Sequence, residues 1–167
     1  VSETAALDLT IARADFAEPA DAAALVEVLD AYARDPMGGG EPLSADVRER
    51  LVPALTQVPG AFAFLARIDG DAVGLATCFM GFSTFAARPL VNVHDVSVVP
   101  AHRGKGIART LFAAVEAEAR ARGACKVTLE VLSGNHRAKD LYASLGYGDY
   151  QLDPESGNAL FWQKRLT

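Results

Sequence analysis

The stretch "VVPAHRGKGIART", Val98 to Thr110, decides how the rest of the chain is read. An apolar run, "VNVHDVSVV", stops at Pro100, and a helical pattern, "GIARTLFAAVEAEARARG", starts at Gly106. Between them Arg103 and Lys105 alternate with Gly104 and Gly106. The first N–H groups of a helix have no intrahelical acceptor, and the helix dipole adds positive potential there. Glycines let a ligand come close to those N–H groups, and two cationic side chains add donors. Such a junction has the chemistry of a phosphate site.

Two familiar phosphate motifs fail against it. The P-loop needs a Gly where Val99 stands and a Ser or Thr where Gly106 stands. The dinucleotide pattern, started at Gly104, needs Gly or Ala where Arg109 stands. What remains is Arg/Gln-x-x-Gly-x-Gly/Ala, matched by Arg103, Gly106 and Ala108.

Working outward, "LDLTIARA", Leu7 to Ala14, alternates as a strand does. Pro19 opens a helix carrying Leu25, Val28, Leu29 and Tyr32. "DPMGGGEPLS" must be a loop, and Ser44 can cap the helix that follows. "AFAFLARIDGDAVGLATCFMGF" reads as a hairpin turning at Asp69 to Asp71, and "LVNVHDVSVV" as the fourth strand. The helix after it places Ile107, Leu111, Val115 and Ala119 on one face and ends at Gly123. "CKVTLEVL" is a fifth strand, and "NHRAKDLYASLG" another helix. "YGDYQL" and "ALFWQKRL" are expected to close the chain as two strands. The order is β-α-α-β-β-β-α-β-α-β-β. The strand, helix and strand around residues 91–131 imply one parallel pair, and the hairpins imply antiparallel pairing elsewhere.

The 167 residues fit one domain, 1–167, and half of them are hydrophobic, enough for a core without staples. A net charge of −5 argues against a nucleic-acid partner. No apolar run approaches the ~20 residues that span a bilayer, so no membrane role is expected. No charged-then-apolar leader opens the given sequence, and a cytoplasmic setting is the expectation. Cys78 and Cys125 lie in apolar stretches and read as buried, reduced thiols. They suggest no metal site.

Arg103, Gly106 and Ala108, set between a strand and a helix, resemble the GNAT superfamily of acyl-CoA-dependent N-acetyltransferases. "NHRAKDLYASLGYGDY" is similar to the family's Asn-x-x-Ala-x-x-Leu-Tyr-x-x-Leu-Gly-Phe segment, with Tyr147 for Phe. The likeness covers residues 61–150. "NVHDVSVVPAHRGKGIA" looks like the diamine (polyamine) acetyltransferase branch, with His94 in place of a Glu. That replacement removes a negative charge from the amine pocket and puts polyamine specificity in doubt.

The resemblance implies an α/β GNAT fold, a mixed, mostly antiparallel sheet splayed between strands four and five and flanked by helices. It implies acetyl-CoA as donor, no metal, and transfer of acetyl to a primary amine of a small molecule or peptide. A homodimer is common in the family. The coenzyme's pyrophosphate would sit on Arg103, Gly104, Lys105, Gly106, Ile107, Ala108 and Arg109. Its pantetheine arm would pair with backbone at Val96, Ser97 and Val98, with Thr128 to Glu130 flanking the same cleft. Asn135 would contact the cofactor, although Asn at that place is also a good N-cap.

Tyr142 matches the tyrosine that protonates the leaving thiolate, which a phenol of pKa near 10 can do. His94 and Asp95 are candidates for the base. An imidazole, with an ordinary pKa of about 6.5, suits that role at neutral pH. Asp95 would support it or replace it, and an ordered water is a third possibility. Adjacent strand residues point to opposite faces, so only one of the two faces the cleft unless a bulge intervenes. Tyr32 and Glu41 are candidate acceptor contacts, and Phe82, Phe85 and Arg88 are weaker ones. The same residues would also serve a non-catalytic acyl-CoA-binding sensor, for which the proton donors would be superfluous.

Overall fold

The computed structural model describes residues 8–166, so Leu7 of the expected first strand lies outside the described residues. The chain divides into two compact units, 1–129 and 130–167.

The first unit is built on a five-stranded sheet in the order β1-β2-β3-β4-β5. The strands are β1 (Leu9–Arg13), β2 (Phe62–Ile68), β3 (Asp71–Ser83), β4 (Arg88–Val98) and β5 (Val127–Leu129). The first three pairings are antiparallel and β4–β5 is parallel, as hairpins and one helical crossover require. The β2–β3 turn has Asp69 at φ 52° and Gly70 at φ 92°. Two successive positive φ values match the strand twist, which is why "DG" marks this turn.

Helices cover both faces. On one, α1 (Pro19–Ala33) and α2 (Ala45–Thr56) bury Leu25, Val28, Val52 and Leu55 with Ala63, Leu65 and Leu75 of the sheet. On the other, α3 (Ile107–Ala121) buries Ile107, Leu111, Phe112, Val115 and Ala119. A Cβ at Gly74 would lie 3.2 Å from a Leu111 methyl, so the missing side chain sets how closely α3 seats on β3. Phe62, beneath α3, is fully buried under the Arg122 guanidinium at 4.4 Å from its ring centroid, a packed cation–π contact.

In the second unit α4 (His136–Ser144) is capped by Asn135, whose side-chain oxygen accepts the Ala138 N–H at 3.2 Å. The two closing strands expected at Tyr147–Leu152 and Ala159–Leu166 do not form. Alternation gives a segment a face, but a strand also needs a ladder for its N–H and C=O groups. Here the pairing shrinks to the Gln151–Asn158 bridge and one Ala159 N–H bonded to the Tyr150 carbonyl. The turn between is a short 3₁₀ segment at Pro154–Ser156, anchored by the Asp153 carboxylate on the Glu155 N–H. Leu160, Phe161, Trp162 and Leu166 stay exposed.

Candidate active site

β4 carries the irregularity that organises the site. Thr77 pairs with Asp95, but the next partners are Cys78 and Val93, so His94 is an extra residue with no opposite number. A bulge of this kind lets two consecutive side chains share a face. His94 packs edge-on against the Phe79 ring, centroids 5.5 Å apart, and Phe79 packs on the core under α1 and α2. Asp95 sits opposite Thr77 and acts electrostatically on the Tyr32 phenol of α1. The strict alternation that would have separated His94 from Asp95 is therefore broken, and both look toward α1.

Their surroundings differ. His94 is exposed, whereas Asp95 is half-buried. Burial pushes the Asp95 carboxyl up from its ordinary value, with the neighbouring His94 acting weakly the other way. Burial raises the Tyr32 phenol as well, and the carboxylates of Asp95 and Asp35 add to the shift. Thr77, only 4% exposed, has a hydroxyl with no hydrogen-bond partner among the described residues, directly across the ladder from Asp95. Sequence reading missed Thr77, because a threonine in a strand carries no signal until its partner strand is known. Behind it the Cys78 thiol is pushed up to about 12, by burial first and then by Asp95, which makes it unreactive. Both cysteines are unpaired, and Cys125 is half-buried rather than buried.

Past the bulge, β4 continues to Val98 although its ladder with β5 ends at Val93–Leu129. β5 itself is three residues long, shorter than "CKVTLEVL" suggested. Ser97 and Val98 are buried and Val96 is half-buried. The chain then makes a 3₁₀ turn at Pro100–His102 and enters α3 at Gly106. Gly104 and Gly106 hold φ values of 80° and 81°, and a Cβ at either would meet nothing within 4 Å. The α3 N-terminus has no side-chain cap and no acidic residue in its first turn. A helix start left uncapped by its own N-cap residue, with open space beside its two glycines, is an arrangement that suits a phosphate.

Some sequence expectations shift in the structure. Ile107 is a core side chain, 2% exposed, so only its backbone is available to a ligand. Arg103 is not a mobile donor: its Nε–H bonds the Val98 carbonyl at 2.8 Å and its Nη2 pairs with Asp35 at 2.9 Å. Phe82, Phe85 and Arg88 belong to the turn end of the β3–β4 hairpin, whereas Val98 pairs with Gly74 at the other end. They lie at the hairpin end away from Val98, and Arg88 Nη2 bonds the Gly123 carbonyl at 3.1 Å. Glu41 is exposed in the loop between α1 and α2. Tyr32 points back into that loop, its hydroxyl donating to the Met37 carbonyl at 3.4 Å. Tyr142 is the buried residue of α4 in the second unit.

The Asp35–Gly40 loop is fixed from within. Asp35 accepts the Met37 N–H at 2.9 Å on Oδ1, and its carboxyl lies below the ordinary value because of that bond and the Arg103 guanidinium. Gly38 sits against α1 so closely that a Cβ would be 1.9 Å from the Tyr32 carbonyl oxygen. The far end is tied by Asp30, which is buried and accepts from Leu43 N–H at 2.9 Å while pairing with Arg34 and Arg48 at 2.8 and 3.0 Å.

Comparison with known proteins bears on the family and the fold. The family model of the acetyltransferase (GNAT) family matches residues 22–147. A streptothricin acetyltransferase of Streptomyces lavendulae is 38% identical over 85 residues, 51% of this chain and 43% of that protein. A thialysine N-epsilon-acetyltransferase of Bos taurus is 35% identical over 77 residues, 46% of this chain and 45% of that protein. The chain thus spans about half the length of these curated relatives or less. Among solved structures, the aminoglycoside N-acetyltransferase AAC(6')-Iy in complex with CoA superposes with a TM-score of 0.71 at 19% identity, covering 98% of this chain and 99% of that one. That likeness is one of fold. With the family model covering most of its length, the chain belongs to the acetyltransferase (GNAT) family.

Proposed function

We propose that the protein moves an acetyl group from acetyl-CoA to a primary amine of a small molecule or peptide, by direct attack with both substrates bound. The observation that carries this reading is the uncapped start of α3, with two left-handed glycines and open space above them, directly after β4. The donor supplies an activated acetyl thioester. Its diphosphate would take the backbone N–H groups of Gly104 to Ala108, with Lys105 and Arg109 nearby, and Asn135 would contribute a further contact. Val96 to Val98 would pair with the amide-bearing arm, beyond the point where the β5 ladder ends.

The acceptor would enter on the α1 side, where Tyr32, His94 and Asp95 face the same space. An alkylammonium must lose a proton before it can attack. Asp95, whose raised pKa makes it a better base than an ordinary carboxylate, or His94 beside it, would take that proton directly or through water. Backbone N–H near Val98 would polarise the thioester carbonyl, and Tyr142 would return a proton to the departing thiolate. Streptothricin, thialysine and aminoglycosides, in the names of the similar proteins, define the amine panel to try first.

The test is acetyl-CoA-dependent thiol release against those amines, diamines, lysine and peptide N-termini, alongside coenzyme A titration. Release with one class of amine is the expected result. Coenzyme binding without turnover on any amine would make the protein an acyl-CoA-binding regulatory module. Failure to bind the coenzyme would remove the phosphate reading of α3.

A further inference from the structure

The donor loop and the loop between α1 and α2 are joined by one ion pair. Arg103 reaches from the donor loop to Asp35 at 2.9 Å, the two side chains being 28% and 16% exposed. Its Nε–H meanwhile holds the Val98 carbonyl, so the guanidinium is clamped at two points rather than free in solvent. On the other side Asp35 is the first residue of the glycine loop. Its Oδ1 accepts the Met37 N–H, and its own carbonyl accepts from Gly38 and Gly40 at 2.8 and 3.1 Å. The Met37 carbonyl accepts from Tyr32, whose phenol feels both Asp35 and Asp95. A continuous chain of contacts therefore runs from the end of β4, through Arg103 and Asp35, to the loop and the Tyr32 hydroxyl. Gly39 and Gly40, at φ 117° and 81°, supply the left-handed backbone that closes the loop onto Asp35.

We propose that Asp35 is a positioning residue for the acceptor amine, acting through its pair with Arg103, so that occupation of the donor loop sets the loop that shapes the acceptor side. This rests on the donor and acceptor sides assigned above. A phosphate drawn to the donor loop acts on Arg103, and Arg103 cannot shift without moving Asp35 and the Met37, Gly38 and Gly40 amides bound to it. Lysine at 103 would keep the positive charge for the phosphate but lose the planar fork that spans Val98 and Asp35. Asp35→Asn removes the charge from the other end.

Two measurements decide the matter. In steady-state kinetics with the best amine, Asp35→Asn and Arg103→Lys each raise the acceptor KM about five-fold or more, a typical coupling. Coenzyme A Kd stays within about two-fold in Asp35→Asn, and the acceptor KM of the double variant is no worse than that of the worse single one, as expected for residues acting as one unit. Additive effects, or a change in coenzyme Kd with acceptor KM unaltered, would overturn the assignment. The second measurement is hydrogen exchange with coenzyme A alone. In the wild-type protein coenzyme A slows exchange at Met37, Gly38 and Gly40, and both variants abolish that slowing. Coenzyme binding that leaves those amides unchanged would also overturn it. If no amine is turned over, catalysis fails as a reading while the exchange result still judges the Asp35–Arg103 connection. If coenzyme A does not bind, the donor assignment and this one fall together.

Discussion

Helices α2 and α3 begin in opposite ways. The hydroxyl of Ser44 accepts the Val47 N–H at 3.2 Å, and Asp46 adds a negative charge in the first turn of α2. α3 starts at a glycine that has no side chain to offer, with no acidic residue in its first turn. One terminus answers its own N–H groups and its own dipole. The other supplies neither a cap nor a first-turn carboxylate. The difference sets a helix start that caps itself apart from the one proposed above as the phosphate site, although either would count simply as a helix N-terminus. α4 belongs with α2: Asn135 caps it, so what α4 would bring to the reaction is a side chain, Tyr142, rather than a terminus.

The strongest way to break the comparison is to make α3 start as α2 does. Gly106→Asp puts a negative charge at the start of α3. A non-glycine residue at φ 81° costs roughly 1 kcal/mol. The melting temperature should move by only a few degrees, while coenzyme A affinity by calorimetry falls about 100-fold or more, since a fixed anion now occupies the phosphate's place. Equal affinity in the two proteins would end the phosphate assignment.

Binding by backbone and chemistry by side chain should also come apart. Tyr142→Phe is expected to lower kcat about 100-fold, the lower end for loss of a proton donor, with coenzyme A Kd unchanged. A drop in affinity with kcat preserved would make Tyr142 a packing residue.

A smaller effect concerns the base. Asp95 acts on the Tyr32 phenol of α1, has the Cys78 thiol of β3 behind it and His94 beside it on its own strand. With its carboxyl raised by burial, the rate should climb with pH through a midpoint above the usual carboxylate range, because the base must be ionised to accept a proton. Asp95→Asn should abolish that rise. If His94→Gln abolishes it instead, the imidazole is the base. The same shift has a stability consequence of defined sign: a carboxyl held above its unfolded value binds its proton more tightly when folded. It therefore stabilises the fold at low pH and ceases to do so as pH rises through the folded value.

The smallest effect is the control. Ser44→Ala should cost about 1 kcal/mol in denaturant unfolding and leave coenzyme A affinity alone. An affinity loss there would mean the two termini are not distinct in the way their caps indicate.

Much of this was legible in the residues. Alternation and helical spacing located β1 to β4 and α1 to α4, because those segments bury one face each. The glycine-rich junction between β4 and α3 was legible because Gly-x-Gly after an apolar run and before a helical pattern marks a turn into a helix. The bulge was not: whether His94 and Asp95 share a face depends on how many residues β3 sets against them, and no single strand encodes its partner's count. Nor was the Asp35–Arg103 pair, since each reads alone as a turn aspartate and a loop cation. The closing strands misled for a related reason, the alternation of "ALFWQKRL" describing a face without describing a ladder.

The bulge at His94 also alters what the strand tolerates. In a regular strand, removing one residue reverses the face of everything beyond it. Here the partner strand already counts Val93 and Asp95 as neighbours, opposite Cys78 and Thr77. Excising His94 alone would straighten β4 without transposing Asp95 or the stretch leading to Val98. The histidine is a supernumerary in the weave, a position that can be gained or lost while the loom keeps its threading.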